Sequence, residues 1–424
     1  MTPIPSRAIA GLLLAIPLLV SCSRSTDEGE NSPPAVGAIT WGTKYAVTDQ
    51  NLDLSVTSSD GDPGQAENHT YKWTASQGSF VVDDDADAIW DPGSNTGTAT
   101  VTVEVSDNLD VTRRSTTITV ARQLDPPSNL FATDTTLTQA GGPYVSGVND
   151  FITVSPGATL TIEPGTEILF PATESGLTVS GLLEAHGTAA EPIHFGSNKK
   201  TPKPGDWKGI VSENAPGRVS LKHCFIEYPK IGVQGSPGGL VQLDSCNVSL
   251  CQQNGVEIAA PGSPHWIRST CIDQSTGHGI SLNFDDLATP TVRIERCRIQ
   301  FNGKSGVFIR GRSADMSIIG NYIFRNEDPG IRLQRGAPLL RENSFEFNDD
   351  AGSDLALDCT TDFDDTLSVV LDADSNFWGG TAVDSTSAAN FIRDNADNPT
   401  IDIRAWILPL LTSWAAFRSL VPNC

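Results

Sequence analysis

Along most of the chain, apolar and polar residues alternate in runs of three to five, and Gly, Pro, Asn and Asp break the runs. Such period-two alternation predicts short strands with one face turned inward. The pattern also repeats itself. Seven segments read HCFI, SCNV, TCID, RCRI, GNYI, ENSF and SNFW, aligned on Cys224, Cys246, Cys271, Cys297, Asn321, Asn343 and Asn376. In most of them the anchor stands two places before an apolar residue, and the first five steps are roughly 22 to 26 residues. A second register follows: Gly255-Val256-Glu257-Ile258, Gly279-Ile280-Ser281-Leu282, Gly306-Val307-Phe308-Ile309 and Gly330-Ile331-Arg332-Leu333. A period near 24 is too short for two packed helices, and no segment sustains a 3.6-residue spacing. Stacked β-coils remain, each burying its apolar face on its neighbours. The glycine before each strand is expected to turn a corner at positive φ.

Stacked parallel strands lie about 4.8 Å apart. The seven anchors should therefore form one inward ladder, with Cys as small buried thiols and the Asn amides bonded up and down the stack. In-register Cβ atoms about 4.8 Å apart exceed the usual ~3.5–4.5 Å of a disulfide. Without a Cys-x-x-Cys pair, zinc is not expected. These features resemble the right-handed parallel β-helix proteins of the pectate-lyase-like superfamily, whose coils carry three short strands each. The stretch FITVSPGATLTIEPGTEILF, with Asp206-Trp207-Lys208-Gly209-Ile210 and Asn376-Phe377-Trp378-Gly379, is similar to such coils. Residues 150–399 are assigned to this solenoid, with roughly nine coils and a length on the order of 45 Å. Residues 400–424 are assigned to a C-terminal cap over the last open edge.

Upstream, residues 35–121 alternate in several short runs (Leu52–Val56, Tyr71–Trp73, Thr98–Val105) separated by turn clusters, the signature of an antiparallel sandwich. The arrangement DGDPGQAENHTYKWTASQGSF…TVTVEVSDNLD…TITV resembles Ig-like and PKD-like spacer modules of bacterial surface proteins, with Trp73 in the core. Residues 122–149 read as a linker. The fold class is thus all-β: an Ig-like β-sandwich followed by a right-handed parallel β-helix.

Arg7 precedes an apolar run from Ala8 to Val20, too short for an ordinary span. Its end, Leu19-Val20-Ser21-Cys22, resembles the lipobox of bacterial lipoproteins. That resemblance implies removal of residues 1–21, lipidation of Cys22 and anchoring by several acyl chains. Ser23 rather than Asp after the Cys implies the outer membrane. Residues 22–34 read as a flexible tether. Of the cysteines outside the ladder and the anchor, Cys359 and Cys424 are the one pair proposed as a disulfide.

The segments QNGVEIAA and TGHGISL are similar to two neighbouring coils of polygalacturonases, which makes Glu257 and His278 the catalytic candidates. That family carries an adjacent aspartate pair where this chain has Val256 and Glu257. An inverting hydrolase needs two carboxyl groups roughly 6.5–9.5 Å apart, and valine supplies none. Asp354, Asp358, Asp362 and Asp364 in an acidic insertion, and Asp60 and Asp62 in the sandwich, offer hard oxygen ligands that could hold Ca²⁺. No cofactor is required. A formal net charge of −23 argues against a nucleic-acid partner and favours a neutral glycan or a surface protein. The expected role is a non-catalytic binding scaffold. The alternative is a polysaccharide lyase, hydrolase or epimerase, marked by acidic and basic side chains converging on an outer β face.

Overall fold

The computed structural model describes residues 31–62, 68–125, 129–147, 151–213, 216–236, 238–259, 264–284, 291–311, 315–334, 338–349, 355–359, 369–373, 376–378, 392–393 and 401–404. The alternating runs become strands, and from residue 130 onward these stack as a parallel solenoid with three sheets. Sheet I holds Phe151–Val154, Gly176–Val179, Ile210–Ser212, Val233–Gly235, Val256–Ile258, Ile280–Asn283, Val307–Arg310, Ile331–Leu333 and Leu357–Asp358. Sheet II includes Arg218–Lys222, Leu240–Asp244, His265–Arg268, Thr291–Glu295 and Asp315–Ile319. Sheet III includes Glu167–Phe170, Ile193–Ser197, Cys224–Glu227, Asn247–Ser249, Cys271–Asp273, Arg298–Gln300, Tyr322–Phe324 and Ser344–Glu346. Among the described residues nine full coils stack, one for each strand of the 9-stranded sheet II. Inward residues such as Ile226, Val248, Ile272, Ile299 and Ile323 are fully buried in one continuous core.

Residues 122–149 are not a linker. Leu130–Phe131, Thr135–Leu137 and Tyr144–Ser146 pair in parallel with the next coil and form the first coil of the solenoid. The strand Val111–Leu124 leaves the N-terminal module and pairs in parallel with Tyr144–Ser146, which closes that edge. Within the module, Leu52–Ser55, Asp87–Asp91 and Ser79–Val82 form one sheet, and Thr70–Ala75, Gly97–Ser106 and Val111–Leu124 join another. Trp73, Trp90, Val101 and Val103 share the core between them. The module is fastened to the solenoid by a small apolar seam of Val47, Ala121, Val145 and Leu169. Beside it, Tyr45 N–H donates to Asn198 Oδ1 at 3.0 Å and Tyr45 Oη to Glu167 Oε2 at 2.7 Å. In the stretch assigned to a cap, Ile401–Arg404 pairs in parallel with Val369–Asp372; residues 405–424 lie outside the described residues.

The inward ladder corrects one anchor. Strand register places Asn247 beside Cys271 and Cys271 beside Arg298. The position level with Cys246 and Cys297 is therefore held by Thr270. A one-residue shift turns a strand residue to the opposite side, so Cys271 sits on the outer side of sheet III. The ladder runs Cys224, Cys246, Thr270, Cys297, Asn321, Asn343, Asn376. Its hydrogen bonds close on backbone: Cys297 N–H donates to Asn321 Oδ1 (2.8 Å), Asn321 N–H to Asn343 Oδ1 (3.0 Å) and Asn343 N–H to Asn376 Oδ1 (2.9 Å). Upstream the acceptor is weaker, with Cys246 N–H 3.3 Å from Thr270 Oγ1. Cys224, Cys246 and Cys297 are buried free thiols.

A second ladder stands five residues downstream of the first: Cys251, Ser275, Asn302, Asn326, Asn348. Asn302 N–H and Asn326 N–H donate to the Oδ1 of Asn326 and Asn348, each at 3.2 Å. Among the described residues, the one before each ladder member is in the left-handed region, as at Arg296 (φ 54°), Glu342 (57°), Phe301 (55°) and Arg325 (52°). These corners turn on ordinary residues, except before Asn321, where Gly320 (φ 68°) holds the place. Gly255, Gly279, Gly306 and Gly330 are glycine for space instead: a Cβ at Gly306 would meet Ile323 Cγ2 at 2.6 Å and Gly330 O at 2.8 Å.

Asn321→Ala should strand the buried Cys297 N–H and the Ile294 carbonyl that the Asn321 amide serves. At about 1–3 kcal/mol for each buried orphan group, urea unfolding should show a loss of roughly 2–5 kcal/mol. Asn247→Ala, on the outer side, should cost under about 1 kcal/mol. Equal losses at the two positions would refute the ladder's role.

Candidate functional site

The outward column of sheet I carries chemically varied side chains. Register aligns Gln234, Glu257, Ser281, Phe308, Arg332 and Asp358 on successive coils. Asp358 is the member after Arg332. The preceding corner adds Asn254, His278, Lys304 and Asp328 along one margin. This arrangement follows from the repeat: strand residues alternate sides, and inward Val, Ile and Leu flank Glu257, Ser281, Phe308 and Arg332.

Glu257 is held by amides. Gln234 Nε2 donates to Oε1 at 3.2 Å, and Asn254 Nδ2 to Oε2 at 2.8 Å. His278 stacks on Phe308, with ring centroids 4.7 Å apart and planes at 14°. Burial, then the positive Lys304 and Arg332, push the His278 pKa down to about 4. It is neutral at pH 7 and a weak base, and its buried Nδ1 has no hydrogen-bond partner. Arg332 reaches Asp328 Oδ2 at 3.2 Å and Asp358 Oδ2 at 3.5 Å. Four coil steps of about 4.8 Å separate Glu257 from Asp358, roughly 19 Å. That is far beyond an acid–base carboxylate pair. Asp328 and Asp358 are both compensated by the Arg332 guanidinium.

Family models match the solenoid in two blocks. The right handed beta helix region matches residues 230–396, and the pectate-lyase like beta helix domain matches residues 132–216. The solenoid is a pectate-lyase-like right-handed β-helix. Searches among curated proteins and among solved structures found no match.

Of the remaining candidates, Asp60 and Asp62 belong to the N-terminal module rather than to this β-helix face. Cys22, Asp354, Asp362 and Asp364 lie outside the described residues. In the N-terminal module, Asp60 Oδ2 lies 3.7 Å from His69 Nε2, while Asp62 Oδ2 accepts from Ser32 N–H at 2.7 Å. Among the described residues no group of three or more His, Cys, Asp or Glu is arranged to hold a metal ion. The expected Cys359–Cys424 bridge is also corrected. Cys359 is a buried thiol, whereas Cys271 is disulfide-bonded. Sequence reasoning missed Asn254, Lys304, Phe308 and Arg332 as one unit because they belong to different coils. Only the strand register brings them together. A second cleft, between module and β-helix, has its lysines already engaged: Lys44 pairs with Glu167, Lys199 with Asp206, and Lys200 lies over the Trp41 ring.

One more histidine was not separable from the scattered set. His265 faces the core of sheet II beside Val241, whose N–H donates to Nδ1 at 3.2 Å, and burial pushes its pKa down to about 4. His265 and His278 are neutral when folded, and their unfolded forms take a proton near pH 6.5. Between those values the unfolded chain binds more protons, so stability falls as pH drops from about 6.5 towards 4. Each histidine contributes on the order of 1 kcal/mol per pH unit. Urea midpoints measured between pH 7 and 5 should fall less steeply in His265→Val, and an unchanged slope would count against the buried neutral histidine.

Proposed function

We propose that this chain is an envelope protein held to a membrane by a lipid on Cys22. In that reading residues 35–121 serve as an Ig- or PKD-like spacer, and the outer face of sheet I is a non-catalytic platform for a neutral glycan. The observation that carries the binding role is the Phe308 surface. The half-buried Phe308 ring, stacked with neutral His278, is bordered by Glu257 with Asn254 and by Arg332 with Asp358. An aromatic face ringed by oriented amide, carboxylate and guanidinium groups suits a sugar ring, whose apolar face stacks while its hydroxyls take hydrogen bonds. The engaged state of the carboxylates disfavours proton transfer. The anchor reading rests on Leu19-Val20-Ser21-Cys22 and the polar tether that follows, and Ser23 favours the outer membrane.

A second reading, a polysaccharide-cleaving enzyme, draws on Asp328 and Asp358 meeting at Arg332. One panel separates the two. Neutral and acidic polysaccharides incubated with protein lacking residues 1–22, with and without Ca²⁺, should be retained without new reducing or unsaturated ends. Phe308→Ala should weaken retention about tenfold, ~1.4 kcal/mol. Release of such ends would establish the enzyme, and retention indifferent to Phe308 would move the ligand elsewhere. Separately, Cys22→Ala should abolish labelling by a fatty-acid probe; persistent labelling refutes the anchor.

A further inference from the structure

We infer that the cleft between the N-terminal module and the β-helix is a second binding site, for a neutral mono- or disaccharide, separate from the outer face of sheet I. Its volume is 440 Å³, within the roughly 300–1,000 Å³ of small-molecule pockets. Backbone pairing holds its two sides together. Lys44 N–H donates to Asn198 O at 2.6 Å and Lys200 N–H to Gly42 O at 3.0 Å, and Thr43 is bridged to Lys199. The wall that follows is tied down by the buried Asp206 carboxylate, which accepts from Ser197 Oγ, Lys199 Nζ and Lys203 N–H.

Gly196 marks the floor. It lies within the strand Ile193–Ser197, level with Leu169 of the preceding coil, and the pairing there runs without a bulge. Glycine weakens a strand, and inside one it marks a bulge, a bend or the close approach of a ligand or another backbone. The backbone does not demand it here. Its φ lies outside the left-handed region, and an added Cβ would meet only Leu169 Cδ2, at an ordinary 3.5 Å. That separates it from Gly306, where the same atom would overlap its neighbours. The space that Gly196 leaves open belongs to the cleft it lines.

The lining selects the ligand. Lys44 and Glu167 neutralise each other, as do Lys199 and Asp206. Among the described residues, the Glu227 carboxylate, the Tyr228 hydroxyl and the His194 ring nitrogens have no hydrogen-bond partner, and Lys200, over the Trp41 ring, has no carboxylate partner. An anionic ligand would meet Glu227, and a cationic one Lys200. Sugar hydroxyls both donate and accept, so they serve the carboxylate and the ammonium together. The Tyr228 ring offers a flat face for a sugar ring, and Phe225, stacked on His194 at 4.9 Å and 8°, fixes the imidazole plane. A sugar held here touches Lys44 of the module and Glu227 of the β-helix, and so fastens one to the other.

The test is calorimetric titration of the full chain, in a detergent without a sugar headgroup, with neutral mono- and disaccharides and with their uronic-acid and amino-sugar counterparts. At least one neutral sugar should bind, and its charged counterparts should bind roughly tenfold more weakly or worse. Gly196→Val should weaken binding roughly tenfold by overfilling the cleft, with the urea midpoint unchanged or raised. Glu227→Gln should weaken it by roughly the same factor. Where Gly196→Val lowers the urea midpoint, Gly196→Ala takes its place and should still weaken binding measurably. Phe308→Ala, on sheet I, should leave this binding intact. Binding by none of the neutral sugars, or binding indifferent to both Gly196 and Glu227, overturns the inference. Binding lost in Phe308→Ala but kept in Gly196→Val assigns the sugar to sheet I, which overturns this site and supports the platform proposed above.

Discussion

Each coil must turn its corners without leaving a buried N–H unpaired, and the solenoid is built around that constraint. At two corners per coil a residue takes left-handed φ, for example Arg296 at 54° and Phe301 at 55°. That conformation costs an L-residue roughly 1–2 kcal/mol. The N–H of the next residue then points into the stack, where the oxygen of the following coil's ladder residue accepts it. Asn326 Oδ1 does so for Asn302, and Asn343 Oδ1 for Asn321. Each coil is thus completed by its successor, and stability is a nearest-neighbour property. The first coil needs a partner of another kind, and the module's long strand supplies it through Tyr144–Ser146.

Rigid inner columns fix the outer ones. Because strand spacing is set by backbone pairing, outward groups on one sheet can approach only in steps of about 4.8 Å or across a corner. Catalytic carboxylates therefore have to stand on adjacent coils or at a corner. Glu257 faces Ser281 on the next coil and Gln234 on the one before, so no second acid stands within reach in its column. Phe308, Arg332 and Asp358 follow in order at the same strand spacing.

The coil repeat was legible because inward Ile and Val recur at fixed offsets, and that periodicity is the fold itself. The ladder was legible except at TCID. There, the apolar residue two places on, Ile272, points back to Thr270, but the cysteine at 271 attracted the alignment by identity. The second ladder hid behind mixed residue types: Cys251 and Ser275 share a role with Asn302, yet only the constant offset of five shows it. The corner glycines were recognisable, but a sequence does not say whether glycine serves φ or space. Residues 122–149 looked like a linker because Pro126-Pro127 interrupts them and no anchor falls there. Their strands are set by parallel pairing to the next coil, 23 to 25 residues on. Of the candidate site, single residues were visible and their assembly was not, since register across coils of 24 to 27 residues decides which side chains meet.

That same one-residue register also divides the cysteines chemically. Burial pushes the Cys251 and Cys297 thiols up to about 12. At neutral pH their thiolate fraction is then on the order of 10⁻⁵, and thiolate is the species that exchanges disulfides. In an oxidising compartment such thiols persist as small apolar groups. Cys271, displaced by one place, stands on the outer side of the same sheet and is the described cysteine that is oxidised. The side of the strand, more than the residue type, decides which sulfur packs and which one reacts.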